Sequence, residues 1–166
     1  MVADARSGVV SPARSRPDDP PTGSATGPFP SSRRYARGVS SDVHPVRCPC
    51  SSGDSYDTCC GPLHRGEAEA PTAERLMRSR FSAFAVGDAD YLLRSWHPST
   101  RPSSLELDPA LRWYRLDILR TDRGGPFDRE GVVAFRAHYK GTEVGALEET
   151  SAFVRENGSW YYLSAV

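Results

Sequence analysis

From Thr72 onward, apolar residues recur at helical spacing. Ala73, Leu76, Met77, Phe81 and Phe84 fall on one face, with Thr72 placed to cap the start and Gly87 to break the run. Asp88 can cap a second helix carrying Tyr91, Leu92 and Trp96, which must end before Pro98. After a loop rich in Pro and Ser come four runs of strand character, roughly residues 111–121, 131–140, 143–155 and 160–164. Gly124-Gly125, Gly141-Thr142 and Asn157-Gly158 separate them, and Asn-Gly between two such runs is a strong hairpin signal. The pattern predicts an α+β domain over residues 71–166, with two N-terminal helices packed on one face of an antiparallel sheet.

The chain before that domain reads differently. Residues 1–46 hold no Leu, Ile or Trp, and Pro, Ser and Gly fill 19 of the 46 positions. Such a stretch buries too little apolar surface to offset an ordering cost of roughly 1–2 kcal/mol per residue. It reads as disordered, or as an extension from a start codon placed too far upstream. The Arg33, Arg34 and Arg37 cluster gives a basic arm of little affinity. No apolar run approaches the roughly 18–20 residues that span a bilayer, and no apolar stretch follows the N-terminal arginines as in a secretory signal. These features lead to the expectation of a cytoplasmic protein that does not enter the membrane. The basic residues are 20 Arg and one Lys, and the net charge is zero, so nothing in the global charge argues for nucleic acid.

All four cysteines lie within residues 47–66, as Cys48-Pro49-Cys50, eight residues, then Cys59-Cys60. In a reducing compartment such clustering points to metal ligands rather than disulfides. Four thiolates satisfy tetrahedral zinc with no open position, which is the pattern of a structural site. Pro49 fixes φ between the first two ligands, and Ser52-Gly53 permits a tight turn after them. His44 and His64 flank the cluster as alternative ligands, and a disulfide between the pairs would make it a redox switch.

The cysteine pattern resembles the SEC-C motif, first recognised at the C-terminus of the SecA translocation ATPase. The chain that follows is similar to the YchJ-like family of bacterial proteins. The matching residues are Leu76-Met77-Arg78-Ser79-Arg80-Phe81, Ala83-Phe84, Asp90-Tyr91-Leu92, Trp96-His97-Pro98, Glu149-Thr150-Ser151-Ala152-Phe153 and the run from Glu156 to Tyr162. The resemblance covers residues 47–166. It implies a nuclear-transport-factor-two-like domain, a cone of curved sheet wrapped around helices. Two departures stand out. Ser51 replaces the usual glycine after Cys-Pro-Cys, and Asp54 and Asp57 stand where lysines are common in the translocase tail.

Cone folds of this kind can enclose a pocket, so polar residues on apolar faces are candidates for chemistry. Arg80 lies between Leu76 and Phe84 on the first helix and points with the core, while Arg78 sits at the border of that face. Glu149 shares a strand face with Leu147, Ser151 and Phe153. The two predict a buried pair, because either charge alone would be costly inside. His97, before Pro98, is either a general acid or base at the cone mouth, with Tyr114, Trp160 and Tyr162 as walls, or a helix-capping histidine. His138 is in phase with Arg136 and is expected to face solvent. Two readings follow. One is a zinc-stabilised binding or adaptor module for a protein or small ligand, with a homodimer as a further option. The other is a small enzyme or metabolite binder using Glu149, Arg80 and His97.

Overall fold

The computed structural model describes residues 46–166, so His44 and nearly all of the expected disordered segment lie outside the described residues. The longest helix, α2 (Ala73–Val86), forms where the apolar spacing places it. The Thr72 hydroxyl accepts a hydrogen bond from the Arg75 amide at 3.1 Å. Gly87 closes the helix in the left-handed conformation, at φ 79°. Asp88 caps α3 (Ala89–Arg94) by accepting from the Tyr91 amide at 2.9 Å. Preceding both is a short helix that the sequence did not signal, α1 (Cys60–His64).

The third helix stops earlier than the sequence suggests. Trp96 forms a parallel bridge with Tyr162 instead of continuing the helix. The Ser95 carbonyl accepts from the Tyr162 amide at 3.0 Å, and the His97 amide donates to the Tyr162 carbonyl at 2.8 Å. Two sheet-type bonds thus replace one further helical turn.

The sheet contains β1 (Arg112–Arg123), β2 (Glu130–Lys140), β3 (Val144–Glu156) and β4 (Ser159–Ala165), in the order β1-β2-β3-β4. Every pairing is antiparallel. Asn157 and Gly158, at φ 51° and 91°, make the two-residue turn that their sequence predicts. Register shifts in the β1–β2 and β3–β4 pairings bend the sheet around the helices. The core lies between the helices and the sheet, with Phe81, Leu92, Leu116, Phe135, Phe153 and Trp160 at its centre. Among the described residues no helix is long and apolar enough to cross a membrane.

The start of α2 is clamped on the β1–β2 hairpin. The Ala73 amide donates to the Gly124 carbonyl at 2.9 Å. A Cβ on Gly131 would lie 2.5 Å from Gly124 Cα and 2.9 Å from Ala73 Cβ, closer than atoms can pack. Gly131→Ala is therefore expected to lower stability by about 1–3 kcal/mol. A urea midpoint equal to the parent's would show that the helix does not sit this close.

Candidate metal centre

Residues 46–56 fold back on themselves as a small knuckle. Arg47 bridges Ser55, the Tyr56 amide donates to the Val46 carbonyl at 2.9 Å, and the Cys48 amide donates to the Asp54 carbonyl at 2.8 Å. At the tip, Ser51 adopts φ 63°, the left-handed region that suits the glycine of the resembling motif. Its side chain offsets that strain, because Ser51 Oγ accepts from the Leu116 amide of β1 at 3.0 Å. A 3-10 turn at Tyr56–Thr58 then leads into α1, which carries Cys60.

This path brings the four cysteines together. Cys50 and Cys60 are fully buried, and Cys48 and Cys59 are 5% exposed or less. Their sulfurs all lie within 4.8 Å of one another, an arrangement that could hold a metal ion. The Cys50–Cys59 and Cys59–Cys60 sulfur separations are 3.5 and 4.0 Å. Sulfurs about 2.3 Å from a tetrahedral zinc would sit about 3.8 Å apart, so the donor set fits. The same separations far exceed a bond of about 2.05 Å, and all four cysteines are free thiols. Hydrogen bonds from the Cys50 and Cys60 thiols push Cys48 down to about 3. The reciprocal contacts from Cys48 and Cys50, together with burial, push Cys60 up. The shared hydrogen bonds thus oppose ionisation of all four sulfurs at once, and a cation between them would let them ionise together.

The knuckle is seated on a polar face of α2 at positions 75, 78 and 82, a spacing of i, i+3 and i+7. Arg75 Nη1 donates to Cys60 Sγ at 3.6 Å, and Ser82 Oγ lies 3.8 Å from Cys48 Sγ. Arg78 Nη1 donates to the Cys50 carbonyl at 3.0 Å. Arg78 is thus a contact to the knuckle rather than a solvated border residue. The seat escaped the sequence reading, which followed only the apolar face of this helix.

His64 proves to be neither a metal ligand nor a surface residue. It is 7% exposed and stacks on Tyr91 with ring centroids 4.4 Å apart. Its Nδ1 lies 2.8 Å from the Tyr56 hydroxyl, and its Nε2 lies 2.9 Å from the Ser79 carbonyl. A carbonyl can only accept, so Nε2 carries the hydrogen and Nδ1 accepts from Tyr56. Burial pushes this imidazole down from its ordinary range. The unfolded chain therefore takes up a proton first as pH falls below about 6.5, and stability should drop in that window. Melting temperatures across pH 7 to 5 should fall less steeply for His64→Gln than for the parent. Parallel slopes would contradict a buried neutral histidine.

The three candidate catalytic residues are held by different hydrogen-bond partners, with Glu149 near enough to Arg80 to act on its charge. Arg80 is 3% exposed and donates to the Leu92 carbonyl at 2.8 Å and Ser95 Oγ at 2.7 Å. Its guanidinium lies over the Trp96 and Tyr162 rings, at 5.1 and 4.5 Å. Burial pushes it down to about 10, partly countered by nearby groups including Glu149. Glu149 accepts from Ser151 Oγ at 2.7 Å and borders a shallow groove with Leu119, Phe135 and Val166. His97 lies beyond the end of α3, so it does not cap that helix. Its Nε2 faces Glu156 Oε1 at 3.3 Å, and its Nδ1 faces Ser99 Oγ at 2.6 Å. The ring beside it is Tyr161, whereas Tyr114 packs against His138 at the far edge of the sheet. His138 is itself half-buried and lies 2.8 Å from Asp117. A cleft of about 200 Å³ opens elsewhere, between Leu63 and Gly66, the linker residues Glu69 and Ala70, Arg94 of α3, and Tyr161. None of the three candidates lines it.

The sequence and the fold both have known counterparts. The family profile described as "YchJ, middle NTF2-like domain" matches residues 72–165. A UPF0225 protein of Corynebacterium glutamicum is 58% identical over 116 residues, covering 70% of this chain and 93% of that protein. A UPF0225 protein of Streptomyces coelicolor is 56% identical over 115 residues, covering 69% and 90%. Among solved structures, a SEC-C motif containing protein from Rhodopseudomonas palustris superposes with a TM-score of 0.63 at 31% identity, over 72% of this chain and 96% of that one. A second SEC-C motif containing protein, from Psychrobacter arcticus, gives 0.58 at 29% identity, over 70% and 80%.

Proposed function

This chain belongs to the YchJ-like UPF0225 family, and from that membership we propose that it is a zinc-binding protein whose structural four-cysteine site shapes a binding or adaptor module. The observation that carries the reading is the burial of four free thiols with every sulfur within 4.8 Å of the others. Cys48, Cys50, Cys59 and Cys60 would be the ligands. Zinc held this way supplies folding free energy and no reactive water, because four sulfurs fill its coordination shell. A reducing compartment such as the cytoplasm suits such thiolates.

The adaptor reading is further supported by the cleft between the end of α1, α3 and β4. At about 200 Å³ it suits one side chain of a partner, whereas the open grooves bordered by Glu149 and by Phe127 and Gly158 are wider, at about 370 and 510 Å³. The two solved SEC-C motif proteins support the zinc reading through the motif that they are named for. Elemental analysis of reduced, purified protein should give one zinc per chain. Protein that carries none, and takes up none on titration, would refute the proposal.

A further inference from the structure

We infer that Arg75 is the counter-charge of the metal–thiolate centre, holding the metal from outside its coordination shell. The inference rests on the zinc reading above. Four thiolates around one divalent cation leave a net charge of −2, and these cysteines are all buried. Buried charge without compensation is costly. Among the described residues, three side chains other than cysteine lie within hydrogen-bonding distance of the sulfurs. Ser52 Oγ lies 3.2 Å from Cys59 and Ser82 Oγ 3.8 Å from Cys48, and both are neutral dipoles. Arg75, 3.6 Å from Cys60, brings a full positive charge.

The other arginine of the seat is committed elsewhere. Arg78 Nε donates to Glu74 Oε1 at 2.8 Å, so that carboxylate already offsets its charge. Among the described residues Arg75 pairs with no carboxylate, and its side-chain hydrogen bond goes to sulfur.

The position of Arg75 in the helix strengthens the case. Its amide donates to the Thr72 cap, which makes it the third residue of α2. That is where the helix dipole favours an anion and where a glutamate commonly completes the cap, so a cation there is locally unfavourable by a few tenths of a kcal/mol or more. A residue that breaks a local rule calls for a compensating gain elsewhere. The sulfur cluster provides it.

The test compares Arg75→Met and Arg75→Lys with the parent as full-length, reduced proteins. Zinc affinity is read by competition with a chelator, and cobalt(II) serves as a spectroscopic probe through its thiolate charge-transfer absorption. Arg75→Met should bind zinc roughly ten- to a hundred-fold more weakly, the range typical of lost outer-sphere partners. Arg75→Lys, which keeps the charge but not the planar fork, should fall between. The metal-free forms of Arg75→Met and parent should melt alike. Equal zinc affinity in Arg75→Met and parent would overturn the inference alone. So would a loss of stability as large in the metal-free protein as in the zinc form, which would mark Arg75 as merely structural. A parent that binds no zinc would overturn the zinc reading and this inference with it.

Discussion

Replacing Cys50 by serine is expected to unfold residues 46–66 while leaving the antiparallel sheet standing. Cys50 is fully buried at the centre of the cluster, and its carbonyl ties the knuckle to Arg78. With zinc as the proposed ligand, metal binding contributes on the order of 10 kcal/mol to ordering a piece this short. Around the cysteines little else could replace it. Among the described residues, Tyr56 alone packs against the cysteine cluster as a half-buried hydrophobic residue, and Leu63 is the one large apolar side chain that α1 sends into the main core. The sheet has its own support in Phe81, Phe135 and Phe153, each 2% exposed or less. Amide hydrogen exchange should therefore show protection lost across the knuckle of Cys50→Ser and kept in β2 and β3. Unchanged protection at residues 48–60 would contradict a metal-organised knuckle.

Removing Arg80 is expected to cost about 3–5 kcal/mol, the scale for breaking a buried, hydrogen-bonded charge. Truncation to alanine would take the guanidinium donor from Ser95 Oγ and from the Leu92 carbonyl, leaving that carbonyl the longer 3.2 Å bond from Ser95 Oγ. It would also open a gap beside the Trp96 and Tyr162 rings, which meet edge to face and both pack against the guanidinium. This site joins α2, α3 and β4, because Trp96 and Tyr162 are themselves bridged. Arg80→Met, which fills the gap but cannot donate, should lose less than Arg80→Ala. A denaturation curve for Arg80→Ala that overlays the parent would show that the arginine is not part of the core.

Local chemistry was legible from the residues. Thr72, Gly87 and Asp88 marked the helix ends because capping and left-handed backbone are single-residue effects. Asn157-Gly158 marked its turn for the same reason. The cysteines declared their shared site because four sulfurs so close in sequence have few other uses. What escaped depends on contacts between distant segments. The end of α3 was misplaced since nothing near Trp96 signals that β4 will claim it, 66 residues later. The knuckle's seat gives little signal, since Arg75 and Arg78 are ordinary residues on a helix surface. Ser82 was the available clue: a poor helix former in mid-helix, it lies against the Cys48 sulfur. His64 gave no signal, because its partners Tyr56 and Ser79 lie on either side of it, eight and fifteen residues away.

The central claim is that four sulfurs, and no other atoms, hold one zinc. X-ray absorption at the zinc edge, on protein purified under reducing conditions, tests it most directly. The expected spectrum has a single shell of four sulfurs at about 2.3 Å. A first shell containing nitrogen or oxygen, or a sample with no zinc edge, would contradict it.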